Sequence, residues 1–138
     1  MPAFVRPKIP VNKSPYASAA VGDAGFTIGA EVSNVITVAV QLKDGGGKDL
    51  AVRGHVRWFL SDDANGDSLV ATAPDGGVAG GTDGWTSQTV TGKRGESVSE
   101  ADGDIDIAVT HAAGAKTVYL VVMLPDGSLK ASGALAFT

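Results

Sequence analysis

Residues 99–124 read SEADGDIDIAVTHAAGAKTVYLVVML, and this stretch leaves few folds open. Ala101-Asp102-Gly103 is turn chemistry, because Gly reaches positive φ without steric cost and Asp can bond its own backbone. Ile105, Ile107 and Val109 then alternate with Asp104, Asp106 and Ala108. A period of two marks a strand with one dry face and one wet face. Ala113-Gly114 breaks the run, and residues 117–124 follow with apolar side chains on both faces. That pattern predicts a central strand buried on both sides.

The rest of the chain repeats this grammar. In residues 32–43, Ile36, Val38, Val40 and Leu42 share one face, and Thr37, Ala39, Gln41 and Lys43 the other. A Gly-rich turn at 44–48 and a short extended piece at 49–53 lead to residues 54–61. There Val56, Trp58 and Leu60 point inward, while His55, Arg57 and Phe59 point outward. Trp58, large and mid-strand, is the expected central core aromatic. Phe59 on the opposite face hints at a second contact surface. A polar turn at 62–67 precedes a short strand expected at 69–73. Residues 74–84 hold five glycines and few apolar anchors, so a long loop or ragged edge is expected. Residues 85–90 and 96–98 read as edge strands joined by a turn whose tip carries Lys93 and Arg94. Trp85 fits either a contact residue or a core residue. After a turn at 125–128, residues 129–138 form the last strand, with Leu135 and Phe137 on one face.

Turns thus recur about every 8 to 12 residues between about seven to nine strands, the signature of an all-β sandwich. No window is helical, and no internal repeat suggests a propeller or solenoid. With 138 residues the chain is long enough for one core, and with no cysteine that core is not stapled by disulfides.

Residues 1–31 break the pattern and read as an extended arm, leaving 32–138 as the sandwich. Pro2, Pro7, Pro10 and Pro15 exclude a helix there and disfavour a central strand. The arm still carries Phe4, Val5, Ile9, Val11, Tyr16, Phe26 and Ile28, more apolar anchors than a solvated linker holds. It also holds Arg6, Lys8 and Lys13 and no acid before residue 21, whereas the remainder has eight basic against fifteen acidic side chains. A basic arm on an acidic body suits docking on a surface, its own or a neighbour's. Phe4, Arg6, Lys8, Ile9, Val11, Lys13 and Tyr16 are therefore the first candidate contact residues, with Phe59, Trp85, Lys93 and Arg94 as a second set. The acidic body argues against a nucleic-acid partner. No apolar run of membrane-spanning length, about 18 to 20 residues, is present, and no membrane partner is expected. The N-terminal residues lack the apolar core of a signal peptide, so synthesis in the cytoplasm is the expectation.

Two segments carry a family resemblance. VITVAVQLKDGGGKDLAVRGHVRWFLSD (35–62) is a strand, a turn with a Gly-Lys step, an apolar step and an alternating strand. SEADGDIDIAVTHAAGAKTVYLVV (99–122) is an Asp-Gly turn, an I-x-I-x-V strand, an Ala-Gly break and a strand bearing Tyr119. Together they resemble bacterial immunoglobulin-like domains of the Big or invasin type, and more closely the version found in tailed-phage structural proteins. The similarity spans residues 32–138. It implies an immunoglobulin-like sandwich, with residues 35–43 early in one sheet and 118–123 at the centre of the other. It also implies a non-enzymatic virion protein synthesised in the host cytoplasm, in particular a capsid decoration (cement) protein on the head surface. Its partner would be the major capsid protein, and a homo-oligomer, as a trimer on local threefold axes, would make binding cooperative. A tail-tube or fibre-associated domain and a carbohydrate-binding adhesive module are the rival expectations.

The remaining constellations do not point to chemistry. His55 and His111 lie far apart in sequence with no cysteine, whereas a zinc site asks for about four ligands. Asp63, Asn65 and Asp67 alternate as in a calcium loop, but Ser68 and Pro74 occupy the positions where an EF-hand needs Gly and Glu. A looser calcium site stays open there. Asp104 and Asp106 share a strand face that reads as solvated sheet. No GxSxG and no phosphate-binding Gly-Lys-Ser/Thr motif occurs. No catalytic residue, metal or cofactor is expected.

Overall fold

The computed structural model describes residues 20–138, and every strand predicted by strict alternation is there. Ile36, Val38, Val40 and Leu42 fall in β2 (Val35–Lys43) and are all buried. Val56, Trp58 and Leu60 fall in β3 (His55–Ser61), and Ile105, Ile107 and Val109 in β7 (Asp104–Thr110). Val118, Leu120 and Val122 come from β8 (Lys116–Met123), and Leu135 and Phe137 from β9 (Leu129–Phe137). These side chains form one continuous core, and the intervening positions point to the outer faces of the two sheets. The short strands β1 (Asp23–Ile28), β4 (Val78–Gly80), β5 (Trp85–Val90) and β6 (Arg94–Val98) complete the set.

The strands form two antiparallel sheets, ordered β1-β2-β7-β4 and β5-β6-β3-β8-β9. This is the spatial layout of a nine-strand, variable-type immunoglobulin sandwich. The chain visits it in an altered order. In the variable-type domain the two added strands follow the strand equivalent to β3, and the outer strand of the four-stranded sheet comes after them. Here that outer strand, β4, comes first, and the β5–β6 hairpin is laid down afterwards with β6 against β3. Trp58 occupies the core position where immunoglobulin domains place a buried tryptophan, without any disulfide to pack on. β2 lies in the four-stranded sheet as the resemblance implies. β8 is interior to the other sheet, but the central strand there is β3.

Three expectations are corrected. The sandwich begins inside the stretch assigned to the arm, because β1 pairs with β2 from Asp23↔Lys43 to Ile28↔Val38. The connection is a tight two-residue turn: Val32 and Val35 exchange backbone hydrogen bonds of 2.9 and 3.0 Å, and Ser33 and Asn34 have φ of 52° and 66°. Two consecutive left-handed residues match the twist of a hairpin, and Ser-Asn announces this less clearly than Asn-Gly does. Phe26 and Ile28, counted as arm anchors, therefore pack on the chain's own core. The arm residues 1–19 lie outside the described residues.

The strand expected at 69–73 reduces to one bridge, Ser61↔Leu69. Val70 enters the core and its N–H donates to the Leu60 carbonyl at 2.8 Å, but the Ala71 N–H is diverted to the Asp62 carboxylate at 2.9 Å. A side-chain acceptor thus ends the ladder. Lastly, β6 is not an edge strand, since it lies between β5 and β3.

The sandwich is closed along both sides. On one, Lys130 of β9 meets Asp23 of β1 at 3.1 Å, and the Thr138 N–H and hydroxyl both donate to Glu31 at 3.0 Å. On the other, the Gln88 side-chain oxygen accepts from the backbone N–H of Val78 at 3.0 Å and from that of Gly92, tying β5 to β4. Alignment with Ala24 N–H and Lys130 holds the Asp23 carboxyl below its ordinary range. A depressed carboxylate contributes stability above its unfolded value, and that contribution disappears as pH falls through the folded value. An Asp23→Asn variant is expected to lose a few tenths of a kcal/mol near neutral pH, as exposed pairs do, and nothing once the carboxyl is protonated. Urea titrations at the two pH values check it.

Candidate functional site

The outer face of the five-stranded sheet carries a groove. Register alone builds its rows. Ser87, Glu96, Arg57, Met123 and Leu129 lie across the sheet in one line, and Val90, Arg94, Phe59, Val121 and Ala131 in the next. Five strands at about 4.8 Å spacing give a face roughly 19 Å wide. A groove of about 760 Å³ opens there, with Phe59 and Met123 in its floor, Arg57 and Arg94 at its centre and Leu129 at its far end. Gly95, between Arg94 and Glu96, turns its Cα hydrogens toward the core ring of Trp58, so its backbone forms part of the floor.

The polar loop at 62–69 forms one wall, contributing Gly66, Asp67 and Leu69. Its carboxylates and hydroxyl shape it. Ser61 Oγ donates to the Asp63 carbonyl and accepts from the Asp63 N–H, both at 3.0 Å, and Asp63 accepts from the Asn65 N–H at 3.2 Å. Gly66 turns at φ 77°, and a Cβ there would lie 3.0 Å from Val121. The loop therefore rests on β8 and seals Val121, which is fully buried although it points away from the core. The expectation that 117–124 is buried on both faces therefore holds on the outer side at Val121 alone, where the loop covers it; Thr117 is exposed and Tyr119 and Met123 are half-buried. Gly66→Ala is expected to combine left-handed strain with that close contact, costing about 1–3 kcal/mol and reopening the Val121 amide to hydrogen exchange.

The second set of sequence candidates separates cleanly. Phe59 and Arg94 are paired directly across β3 and β6 and both line the groove. Lys93 turns away and donates to the Ala71 carbonyl at 3.0 Å. Trp85 is 58 % exposed, which decides against a core role. It lies on the same face but in the neighbouring row with Val98 and His55, outside the groove. Arg57, Met123, Leu129, Leu69 and Asp67 complete the groove and were missed as site residues. The signal available was alternation, which already pointed Arg57 outward. The first candidate set, Phe4 to Tyr16, lies outside the described residues.

Electrostatics give the face a distinct character. Among the described residues, neither Arg57 nor Arg94 has a carboxylate within 4.0 Å. The nearest acid by register, Glu96, is engaged by His55 Nε2 at 2.7 Å. A second acidic group lies on and beside the wet face of β7, away from the groove. There Asp106 accepts the backbone N–H groups of Thr82 and Asp83, both at 3.2 Å, so it fixes the loop before β5. Partial burial, then the charges of Asp102 and Asp83, push the Asp104 carboxyl up. Partial burial and Asp106 do the same for Asp83. A carboxyl raised by folding opposes folding while ionised, so stability rises as pH falls into the carboxylate range. Asp104→Asn is expected to raise the urea midpoint at neutral pH, with the gain vanishing near pH 4. No group of three or more His, Cys, Asp or Glu side chains among the described residues could hold a metal ion, and Asp63 and Asp62 serve the loop backbone instead.

No protein-family model, curated protein or solved structure matches the chain.

Proposed function

We propose that this protein is a non-enzymatic attachment module that binds the surface of a larger assembly through the outer face of its five-stranded sheet. The observation that carries the reading is the groove: an apolar floor with two arginines lacking carboxylate partners among the described residues, set on a rigid sheet. Rigid elements hold a binding surface without the ordering cost that loops incur. The sequence resemblance supports a finer reading, a capsid decoration protein that clamps the head of a tailed phage by contacting the major capsid protein. Residues 1–19 would add the basic and apolar contacts of Phe4, Arg6, Lys8, Ile9, Val11, Lys13 and Tyr16.

The test mixes purified protein with heads and tails of a tailed phage whose structural genes encode it, followed by sedimentation and gold labelling. The expected result is saturable binding to heads that raises their disruption temperature. Label on tails, or none on either, overturns the decoration reading. Deleting residues 1–19 removes none of the nine strands β1 to β9. The shortened protein is expected to keep its far-UV spectrum and lose at least tenfold in head affinity, and equal binding would remove the arm from the mechanism.

A further inference from the structure

The groove holds more information than its location. Arg57 and Arg94 stand on adjacent strands, offset by one pairing step: Arg57 faces Glu96 and Arg94 faces Phe59. Both side chains are exposed, and of the two acids that share the groove, Asp67 lies beyond 4.0 Å of either guanidinium and Glu96 is paired with His55. Beside them lie Phe59 and Met123, half-buried, and Leu129 and Leu69, 41 % and 49 % exposed. Two guanidiniums presenting planar forks next to an apolar floor match carboxylates spaced around an apolar side chain.

We propose that the groove takes an extended acidic segment of another protein, with its carboxylates on Arg57 and Arg94 and an apolar side chain seated on Phe59, Met123 and Leu129. The width of roughly 19 Å accommodates about six residues at 3.3 Å each. The floor favours a peptide over a sugar. Glycan rings stack on open aromatic faces, and Phe59 is the single aromatic ring on the outer side of the groove. Thioether and branched aliphatic side chains instead repack around varied peptide side chains. A nucleic acid is disfavoured, since a phosphate polyanion would face a chain of net charge -4 around one pair of arginines. The chain's own residues 1–19 are disfavoured too, because their charged side chains are all basic. The inference rests on this face being the binding face, and does not depend on which assembly carries the segment.

The test is selection of a displayed random linear-peptide library on the full-length protein, in parallel with an R57E/R94E variant. Both substitutions fall on exposed side chains, and the variant's amide spectrum checks that it folds. The expected outcome is enrichment of peptides with Asp or Glu flanking an apolar residue. Their synthetic versions should shift the amides of Phe59, Arg94 and Met123, and bind at least tenfold more weakly to R57E/R94E. Raising salt to molar concentration should weaken them as well. R57K/R94K should retain part of the affinity, since it keeps charge without the fork. Enrichment without acidic residues, affinity indifferent to charge reversal, or shifts confined to another face overturns the proposal. So does binding of a polyuronate in this groove with no acidic peptide selected. Acidic peptides selected by a protein that ignores phage heads would leave this inference standing and sink the decoration reading alone.

Discussion

Trp58→Ala is expected to cost about 3–5 kcal/mol, a large share of the roughly 5–15 kcal/mol that holds a domain folded. Trp58 is the largest fully buried side chain, 1 % exposed, and sits on the strand at the centre of the five-stranded sheet. It belongs to one core cluster drawn from both sheets, so the void left by alanine cannot be closed by moving one strand. A contrast variant separates packing from polarity. The indole Nε1 is buried and has no hydrogen-bond partner among the described residues. An unpaired buried donor carries a desolvation penalty of about 1–3 kcal/mol. Trp58→Phe removes that donor with part of the volume, so its loss is expected to be less than half that of the alanine variant. Urea unfolding followed by far-UV circular dichroism measures both. Equal losses would show that the indole N–H is satisfied in solution, by a trapped water for example.

Gly95→Ala is the second large effect, expected at about 3 kcal/mol or above, beyond the usual 1–3 for overpacking. Gly95 pairs with Trp58 on β3 and Gln88 on β5. An added Cβ would overlap the Ser87 carbonyl oxygen and approach Trp58 Cζ2 to 2.7 Å. One obstacle is backbone and the other a fully buried ring, so neither can yield cheaply. The expected response is separation of β5 from β6, seen as fast hydrogen exchange at residues 85–90 with the rest of the sandwich still protected. Combining Gly95→Ala with Trp58→Phe should recover only part of the loss, because the Ser87 carbonyl remains. Gly45→Ala is the control: a Cβ there meets nothing within 4 Å, and no measurable change is expected. A small cost at Gly95 would mean the β5–β6 hairpin is loosely held, and with it the groove floor.

The two sites differ in how visible they were. Trp58 could be placed from the sequence because alternation with Val56 and Leu60 fixes its face, and face decides burial in a two-layer fold. Gly95 could not. In the sequence it is one glycine beside Lys93-Arg94, indistinguishable from a turn residue, and the turn itself ends at Lys93. Its importance comes from what stands opposite, which pairing across two strands decides. The same reason hid β1. Its small residues and glycines carry weak alternation, and only the Ser33-Asn34 turn and the ladder to β2 make it a strand.

The groove was half legible. Phe59 and Arg94 were singled out separately, one as an outward aromatic and the other as a turn-tip charge. Register makes them direct neighbours. Arg57 on β3 lies far in sequence from Met123 and Leu129, which face each other across the β8–β9 turn, and Lys93, adjacent to Arg94, is drawn off to Ala71. Composition cannot indicate which cations lack a partner, because that depends on where Glu96 and Asp67 fall in space.

By itself, then, the sequence determined the class of fold, the inward face of each long strand and the identity of the core tryptophan. Those properties follow from local periodicity, which each strand carries alone. The tertiary structure decided the strand order, with β4 laid down before the β5–β6 hairpin, the place of β1, and the groove. These are pairings between residues remote in the chain, and two strands of equal alternation are interchangeable until hydrogen bonding and packing select their neighbours.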